Sequence, residues 1–356
     1  MIFVTGGTGL VGSHLLFNLL RSGKQVRALK RSSSNLKLAL MTFSYYSDQA
    51  EELFQKIDWV EGDILDYHSM EELLAGVTDV YHCAAMVSFH PNDHDSMLNN
   101  NVKGTANLID AAIFNKVKRF CHVSSIAALG HTQDGTEIDE ETYWIPSKQK
   151  SAYSLSKFFS EMEVWRGIEE GMDAVIVNPS IILGPGNWDI GSPKLFQSIW
   201  KGLGYYTKGE NGFVDVRDVA EVMTQLMQPE TFSQHKNQRF ILNAGNMGYQ
   251  EFFNKIADAL QRPRPKTFAS DMILQVAWRA ARMASFFSGK RPVITKEAVS
   301  GSNRINHYNG SKIQRSIAFE YRGLDHTIQD IARLFLKDVE LLTPPIKKKK
   351  RSTSQS

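Results

Sequence analysis

The first 21 residues constrain the fold more than any other stretch. An apolar run, residues 2–4, leads directly into Thr5-Gly6-Gly7-Thr8-Gly9-Leu10-Val11-Gly12, and an amphipathic run follows from Ser13 to Arg21. The order is strand, glycine turn, helix. Gly7, Gly9 and Gly12 fit G-x-G-x-x-G, whereas Gly6, Gly9 and Gly12 fit the related G-x-x-G-x-x-G. Either spacing permits a tight turn and lets a pyrophosphate approach backbone amides at a helix N-terminus. An ordinary surface turn does not require the flanking strand and helix, so the segment predicts a dinucleotide cradle at Gly6, Thr8, Gly9, Leu10 and Gly12.

Further apolar runs at 25–29, 58–61, 79–82, 119–123, 174–177 and 239–243 read as strands, with helical segments between most of them. The second ends in Lys30-Arg31-Ser32-Ser33-Ser34, where a dinucleotide fold chooses between a ribose hydroxyl and a ribose phosphate. A carboxylate there suits NAD. The cationic Lys30 and Arg31 suit a 2′-phosphate, so NADP is the expected cofactor and NAD the alternative. Asp63, with Ile64 beside it, is placed to accept a hydrogen bond from an adenine amine, and Asp66 to cap the next helix. Ala84 and Ala85 would let a cofactor ribose lie against backbone. Residues 36–55 have helical character with no evident purpose. His90 to Asp95 reads as a loop, and no compact metal pattern occurs, so no metal is expected. Asn99-Asn100-Asn101 opens a long helix to about residue 115.

The candidate chemistry lies at one strand end and one helix. Ser124 and Ser125 follow the 119–123 strand, at the end where open α/β sheets bind ligands. Tyr153 and Lys157 stand four residues apart within a plausible helix and so share a face. A phenol with a pKa of about 10 exchanges protons poorly near neutrality, and a nearby cation brings it toward a working range.

The formal net charge is only +3, with a basic block at Lys347 to Arg351, so total charge does not call for nucleic acid. Cys83 and Cys121 fall in apolar runs and suit reduced core thiols in a cytoplasmic protein. No basic region precedes the first strand, and a cleaved signal peptide is not expected. Residues 272–287 form the most apolar helical stretch, too short and too charged to span a bilayer. It is expected to be a core or lid helix over a substrate pocket, with a membrane-interface position as the weaker alternative. Residues 341–356 read as a basic, disordered tail, for which attraction to anionic lipid is the sharper alternative.

Over roughly residues 1–220 the chain resembles the short-chain dehydrogenase/reductase superfamily, in its extended, NAD-dependent epimerase/dehydratase-like branch. The resemblance rests on Thr5 to Gly12, Asp63-Ile64, Asn101 to Thr105, Val123-Ser124-Ser125, Tyr153 to Lys157, Asn178-Pro179-Ser180 and Phe213 to Ala220. It implies an α/β fold, a Rossmann-type doubly wound parallel sheet with a smaller C-terminal substrate-binding domain. The nucleotide-binding domain would span 1–180 with returns at about 213–243, and 181–340 would be mainly the substrate domain. By the same resemblance Tyr153 is the acid/base, Lys157 holds the nicotinamide ribose and lowers the tyrosine pKa, and Ser125 polarises a carbonyl, with Ser124 as the fallback. Asn101 would lie behind the site, and Pro179 to Ile181 would border the nicotinamide.

The function this implies is a reductase acting on a carbonyl, or a secondary alcohol in reverse, of a small, rather apolar molecule. It is similar to dihydroflavonol-reductase-like and hydroxysteroid-dehydrogenase-like members. A nucleotide-sugar epimerase holding NAD is the runner-up. Epimerases usually carry an arginine just before the segment matching Phe213-Val214-Asp215-Val216, and this chain has Glu210-Asn211-Gly212 there. A sugar dehydratase would need an Asp-Glu pair after Ser125, which Ile126-Ala127 does not supply. A non-catalytic nucleotide sensor is the reading from outside enzymology. Many members pair through helices of the nucleotide-binding body, so a homodimer is a further expectation.

Overall fold

The computed structural model describes residues 1–130, 132, 136–145, 150–288 and 303–342. Its strands are β1 (Ile2–Thr5), β2 (Val26–Lys30), β3 (Asp58–Glu61), β4 (Asp79–His82), β5 (Arg119–Val123), β6 (Ala174–Pro179), β7 (Ile181–Leu183), β8 (Tyr205–Tyr206), β9 (Glu210–Asp215), β10 (Gln238–Leu242), β11 (Gly245–Gly248) and β12 (Thr267–Phe268). The helices of the first half are α1 (Leu10–Arg21), α2 (Leu36–Ser44), α3 (Ala50–Gln55), α4 (Tyr67–Leu73), α5 (His94–Leu98), α6 (Gly104–Phe114) and α7 (Ala152–Glu169). Those of the second half are α8 (Pro193–Trp200), α9 (Val216–Leu226), α10 (Pro229–His235), α11 (Tyr249–Ala259), α12 (Asp271–Ser288), α13 (Ser311–Ile317) and α14 (Leu324–Leu342).

Seven strands form one parallel sheet in the order β3-β2-β1-β4-β5-β6-β10. Strands covered on both faces read as continuous apolar runs, and β4 and β6 are buried along their whole length. On one face α1 and α9 pack Leu15, Leu16 and Leu19 with Val219, Met223 and Leu226, against Val4, Val123 and Val177. On the other, Met70, Leu108, Ile109 and Val164 from α4, α6 and α7 cover Phe3, Val80, Phe120 and Ile176. The strand order reverses between β1 and β4, which opens a crevice at their C-terminal ends.

A second, smaller core lies beyond that crevice. Strand β9 pairs with β7 in parallel and with β11 antiparallel. Helices α8, α11 and α14 pack Phe196, Phe252, Ile256, Ile328 and Phe335 around Leu183 and Phe213.

The chain leaves the large sheet at Ile181, because Ser180 makes the last backbone bond to β10, at 2.9 Å, and β7 already pairs with β9. Three details depart from expectation. Of the expected return at about 213–243, α9 and β10 rejoin the large body, whereas β9 belongs to the small sheet. His90 to Asp95 is not a loop throughout. Pro91 starts a 3-10 turn, where its missing N–H costs nothing, and α5 begins at His94. The π turn Asn99–Lys103 then joins α5 to α6, so the helical run opens earlier than Asn99.

The third departure is α12, which is helical as expected but not a core helix over its described side chains. Met272 is 79% exposed and Val276 62%. Among the described residues no helix is long and apolar enough to cross a membrane. Leu341 and Leu342 end α14, and the rest of the expected tail lies outside the described residues.

Residues 36–55 gain a purpose from contacts remote in sequence. Phe43 of α2 packs edge-on against Phe17 of α1, with ring centroids 5.4 Å apart, and against Phe54 of α3 at 5.3 Å. The Tyr45 hydroxyl donates to the Asp338 carboxylate on α14, and Trp188 Nε1 donates to the same oxygen at 2.8 Å. These two short helices therefore fasten the large body to the small one.

Candidate active site

The glycine turn is closed by its neighbours as well as by its own flexibility. Gly6 has φ +70°, and a Cβ there would lie 2.6 Å from Ala84 N; at Gly12 it would run into the Gly6 carbonyl. Gly9 is the N-cap of α1 and supplies no side-chain cap, so the first amides of the helix remain available to an anion. Thr5 fixes the facing turn, since its Oγ1 accepts from Ala84 N at 3.2 Å and hydrogen-bonds His82 Nδ1 at 2.7 Å. A cradle that excludes side chains and presents free helix amides fits a dinucleotide pyrophosphate. Thr8 and Leu10 lie on this turn.

At the end of β2, Lys30 is already engaged, with Nζ 3.3 Å from Glu61 of β3. Arg31 is exposed and its guanidinium has no ion-pair partner among the described residues. Asp63 accepts from Leu65 N at 3.0 Å, which shapes its turn. Ile64 packs against Gly104 at the start of α6. Asp66 caps α4 as expected, accepting from Ser69 N at 3.3 Å. Ala84 and Ala85 line the turn after β4, while Pro179 is buried at the end of β6 and Ile181 is half-buried beside it.

The three candidate chemical groups meet at the C-terminal edge of β5. Ser151 caps α7, and Tyr153 and Lys157 project from one side of that helix. The Tyr153 phenol lies beside the Ser125 hydroxyl. Burial raises the phenol pKa, and the Ser125 hydroxyl partly offsets this. Lys157 is 4% exposed and donates from Nζ to Val123 O at 2.9 Å. Burial lowers its pKa to about 8, opposed by Cys83 and Glu161. In this arrangement the ammonium is turned to the strand, and Ser125 is the group that eases the Tyr153 proton. The alternative hydroxyl, Ser124, points elsewhere and donates to Glu161 at 2.5 Å.

Asn101 joins this site to its rim. From the π turn its side chain accepts from Met86 N at 2.7 Å, donates to Met86 O at 2.9 Å, and donates to Ser156 of α7 at 3.0 Å. Such insertions in a helix often mark functional positions. Ser88 is held in turn, donating to Asp93 at 2.7 Å, and Val87 and Phe89 on either side of it are exposed. Phe89 reaches Tyr153 edge-on, with centroids 5.9 Å apart.

Sequence reasoning missed Phe89, Glu161 and Arg239. The signal for Glu161 was available, since it continues the four-residue spacing of Tyr153 and Lys157. Phe89 and Arg239 carried none. Cys83 and Cys121 are free, as expected. Among the described residues no group of His, Cys, Asp or Glu could hold a metal ion.

The sequence profile of the NAD dependent epimerase/dehydratase family matches residues 2–245. Over 339 residues, 94% of each chain, the protein is 31% identical to a Synechocystis sp. protein named "Putative dihydroflavonol 4-reductase". It is 28% identical to cinnamoyl-CoA reductase 1 of Petunia hybrida, over 69% of this chain and 75% of that one. Among solved structures, UDP-glucose 4-epimerase of Thermotoga maritima shares the fold, with a TM-score of 0.74 at 19% identity over 95% of this chain and 99% of that one. The parallel sheet, the glycine cradle and these matches agree, and the chain belongs to the NAD-dependent epimerase/dehydratase family, an extended branch of the short-chain dehydrogenases/reductases.

Proposed function

We propose that this protein is an NADPH-preferring reductase of a carbonyl on a small, rather apolar molecule, working reversibly on the secondary alcohol. The observation that carries the reading is the Ser125 hydroxyl set beside the Tyr153 phenol, with the buried Lys157 ammonium on the same helix. Relatives named as a dihydroflavonol 4-reductase and a cinnamoyl-CoA reductase support it. Bound nicotinamide cofactor would supply the hydride. Gly6, Thr8, Gly9, Leu10 and Gly12 would hold its pyrophosphate, Asp63 and Ile64 its adenine, and Ala84, Ala85 and Lys157 its ribose. Arg31 would meet a 2′-phosphate. Pro179 and Ile181 would border the nicotinamide.

The protein's own groups then manage the oxygen. Ser125 donates to the carbonyl oxygen, where negative charge accumulates, and Tyr153 gives it a proton. With the cofactor ribose in place, Lys157 has two N–H donors beyond the one given to Val123, and its positive charge favours the phenolate left behind. Asn101 holds the Met86 rim and α7 in register, so the substrate wall and the proton donor keep one geometry.

The test is Tyr153→Phe assayed by NADPH oxidation against a panel of aryl and alkyl ketones and aldehydes. Turnover should fall at least a thousand-fold while NADPH still quenches protein fluorescence. Near-normal turnover in that variant would overturn the assignment.

A further inference from the structure

The functional face of α7 extends beyond Lys157. Residues 153, 157 and 161 recur at four-residue spacing, and Glu161 is fully buried one turn further on. Both of its oxygens are in use. Oε2 accepts from Ser124 Oγ at 2.5 Å and from Asn178 Nδ2 at 2.7 Å. Oε1 meets the Arg239 guanidinium at 3.1 Å and Trp165 Nε1 at 3.4 Å. The same Asn178 amide donates to the Ser125 carbonyl at 3.1 Å, and Arg239 donates twice to Glu140 O, at 2.8 and 2.5 Å. One carboxylate thus joins the ends of β5 and β6 to the edge strand β10, and through Asn178 it reaches the Ser125 backbone.

Holding strand ends together does not require such a group. A buried ion pair is expensive to desolvate, and apolar side chains of the same volume commonly hold a fold equally well. The location of the charge is the more specific feature. Lys157 is faced by Tyr153 and Glu161 from its own helix, by Cys83 after β4, and by His82 and His122 from β4 and β5. Burial pushes the Cys83 thiol up to about 12 and lowers both imidazoles, so at neutral pH these three are uncharged. Tyr153 is a neutral phenol there too. Glu161 is the one negative charge among the groups facing the ammonium.

We propose that Glu161 is a positioning residue, which orients Ser125 through Ser124 and Asn178 and sets a fixed negative charge beside the Lys157 ammonium. The proposal rests on the reductase reading. Its charge half can be measured without a substrate, by following NADPH binding through nucleotide fluorescence between pH 6 and 9.5. In the unaltered protein the affinity should fall with an inflection near pH 8, and Lys157→Met should flatten that dependence. Glu161→Gln keeps the shape and most hydrogen bonds but removes the charge, so its inflection should move at least half a pH unit lower. An unmoved inflection would overturn the charge role.

The geometric half is tested with Ser124→Ala and phenanthrenequinone as the probe carbonyl. This variant breaks one bond to Glu161 and should lose at least five-fold in kcat with KM and NADPH affinity within two-fold of the unaltered protein. Unchanged kcat would overturn the orienting role. If Glu161→Gln does not give the circular dichroism of a folded chain, Ser124→Ala decides the proposal alone. Tyr153→Phe is run alongside. If it retains turnover, or if the unaltered protein binds neither NADPH nor NADH, the reductase reading fails; an inactive Tyr153→Phe with a normal Glu161→Gln removes only the role of Glu161.

Discussion

Phe89 packs edge-on against Tyr153, with ring centroids 5.9 Å apart, from a rim segment in which Met86 and Ser88 are both hydrogen-bonded in place. The ring is 44% exposed, so it presents an apolar wall to whatever approaches the phenol. An edge-to-face aromatic contact is worth about 0.5–1.5 kcal/mol beyond its buried area. Phe89→Ala should therefore lower kcat/KM for bulky aryl ketones by roughly two- to ten-fold, with less effect on small alkyl ketones. Equal losses on both classes would place Phe89 in support of Tyr153 and not on the substrate wall.

Cofactor choice turns on a pair of cations that are not equivalent. Lys30 is tied to Glu61 at 3.3 Å, whereas Arg31 extends into solvent. Charge-assisted hydrogen bonds contribute about 1.5–3 kcal/mol. Arg31→Ala should weaken NADPH binding roughly ten-fold or more and leave NADH binding unchanged. Glu61→Gln, which releases Lys30, should shift the preference further toward NADPH. Parallel titrations of both nucleotides by fluorescence check this, and an equal loss for both in Arg31→Ala would withdraw the 2′-phosphate assignment.

The centre of the large sheet was legible in the sequence because β1, β4, β5 and β6 are buried along most or all of their length and so written largely as apolar runs. Tyr153 and Lys157 were legible because helical spacing alone puts them together. Pairings between distant elements were not. Tyr45 and Asp338 lie 293 residues apart, and no local pattern marks their contact. The pattern from Phe213 onward points to a return toward the large body but not to which element makes it; α9 packs there, whereas β9 pairs in the small sheet. Glu161 acquires meaning only from Ser124, Asn178 and Arg239, carried by three other segments of the chain. The exposure of Met272 and Val276 depends on what α12 packs against, which composition does not reveal.

Lys157 should lower the stability of the protein without bound nucleotide. Burial brings its pKa from 10.5 to about 8, so the folded state disfavours the protonated form. Between pH 8 and 10.5 the unfolded chain binds more protons than the folded one, and stability from this group rises with pH across that window. Below pH 8 the penalty is fully present, on the order of 3 kcal/mol from the shift, less about 1 kcal/mol for the bond to Val123. In urea unfolding at pH 7, Lys157→Met should be more stable than the unaltered protein by roughly 1–2 kcal/mol. That gap should close toward pH 10.5; a gap independent of pH would exclude burial of the ammonium as its cause.

Acid should destabilise the fold through three buried imidazoles before its carboxylates titrate. Burial lowers His14 to about 4, against a bond to Leu10 O, and His82 to about 3. It lowers His122 as well, with His82 and Lys157 adding to the effect. Each must remain neutral for the chain to fold, so below about pH 6.5 the unfolded state binds the extra protons and stability falls with pH. One fully unmatched proton contributes about 1.4 kcal/mol per pH unit, so three give roughly 4. His122 offers a clean test, because neither ring nitrogen has a hydrogen-bond partner among the described residues. Replacing it with an apolar ring sacrifices no bond and removes a buried unsatisfied polar group. His122→Phe should match or exceed the stability of the unaltered protein at pH 7, and its loss of stability between pH 6.5 and 5 should be about one third shallower. A variant less stable at pH 7 with an unchanged acid slope would show that His122 has a partner the fold depends on.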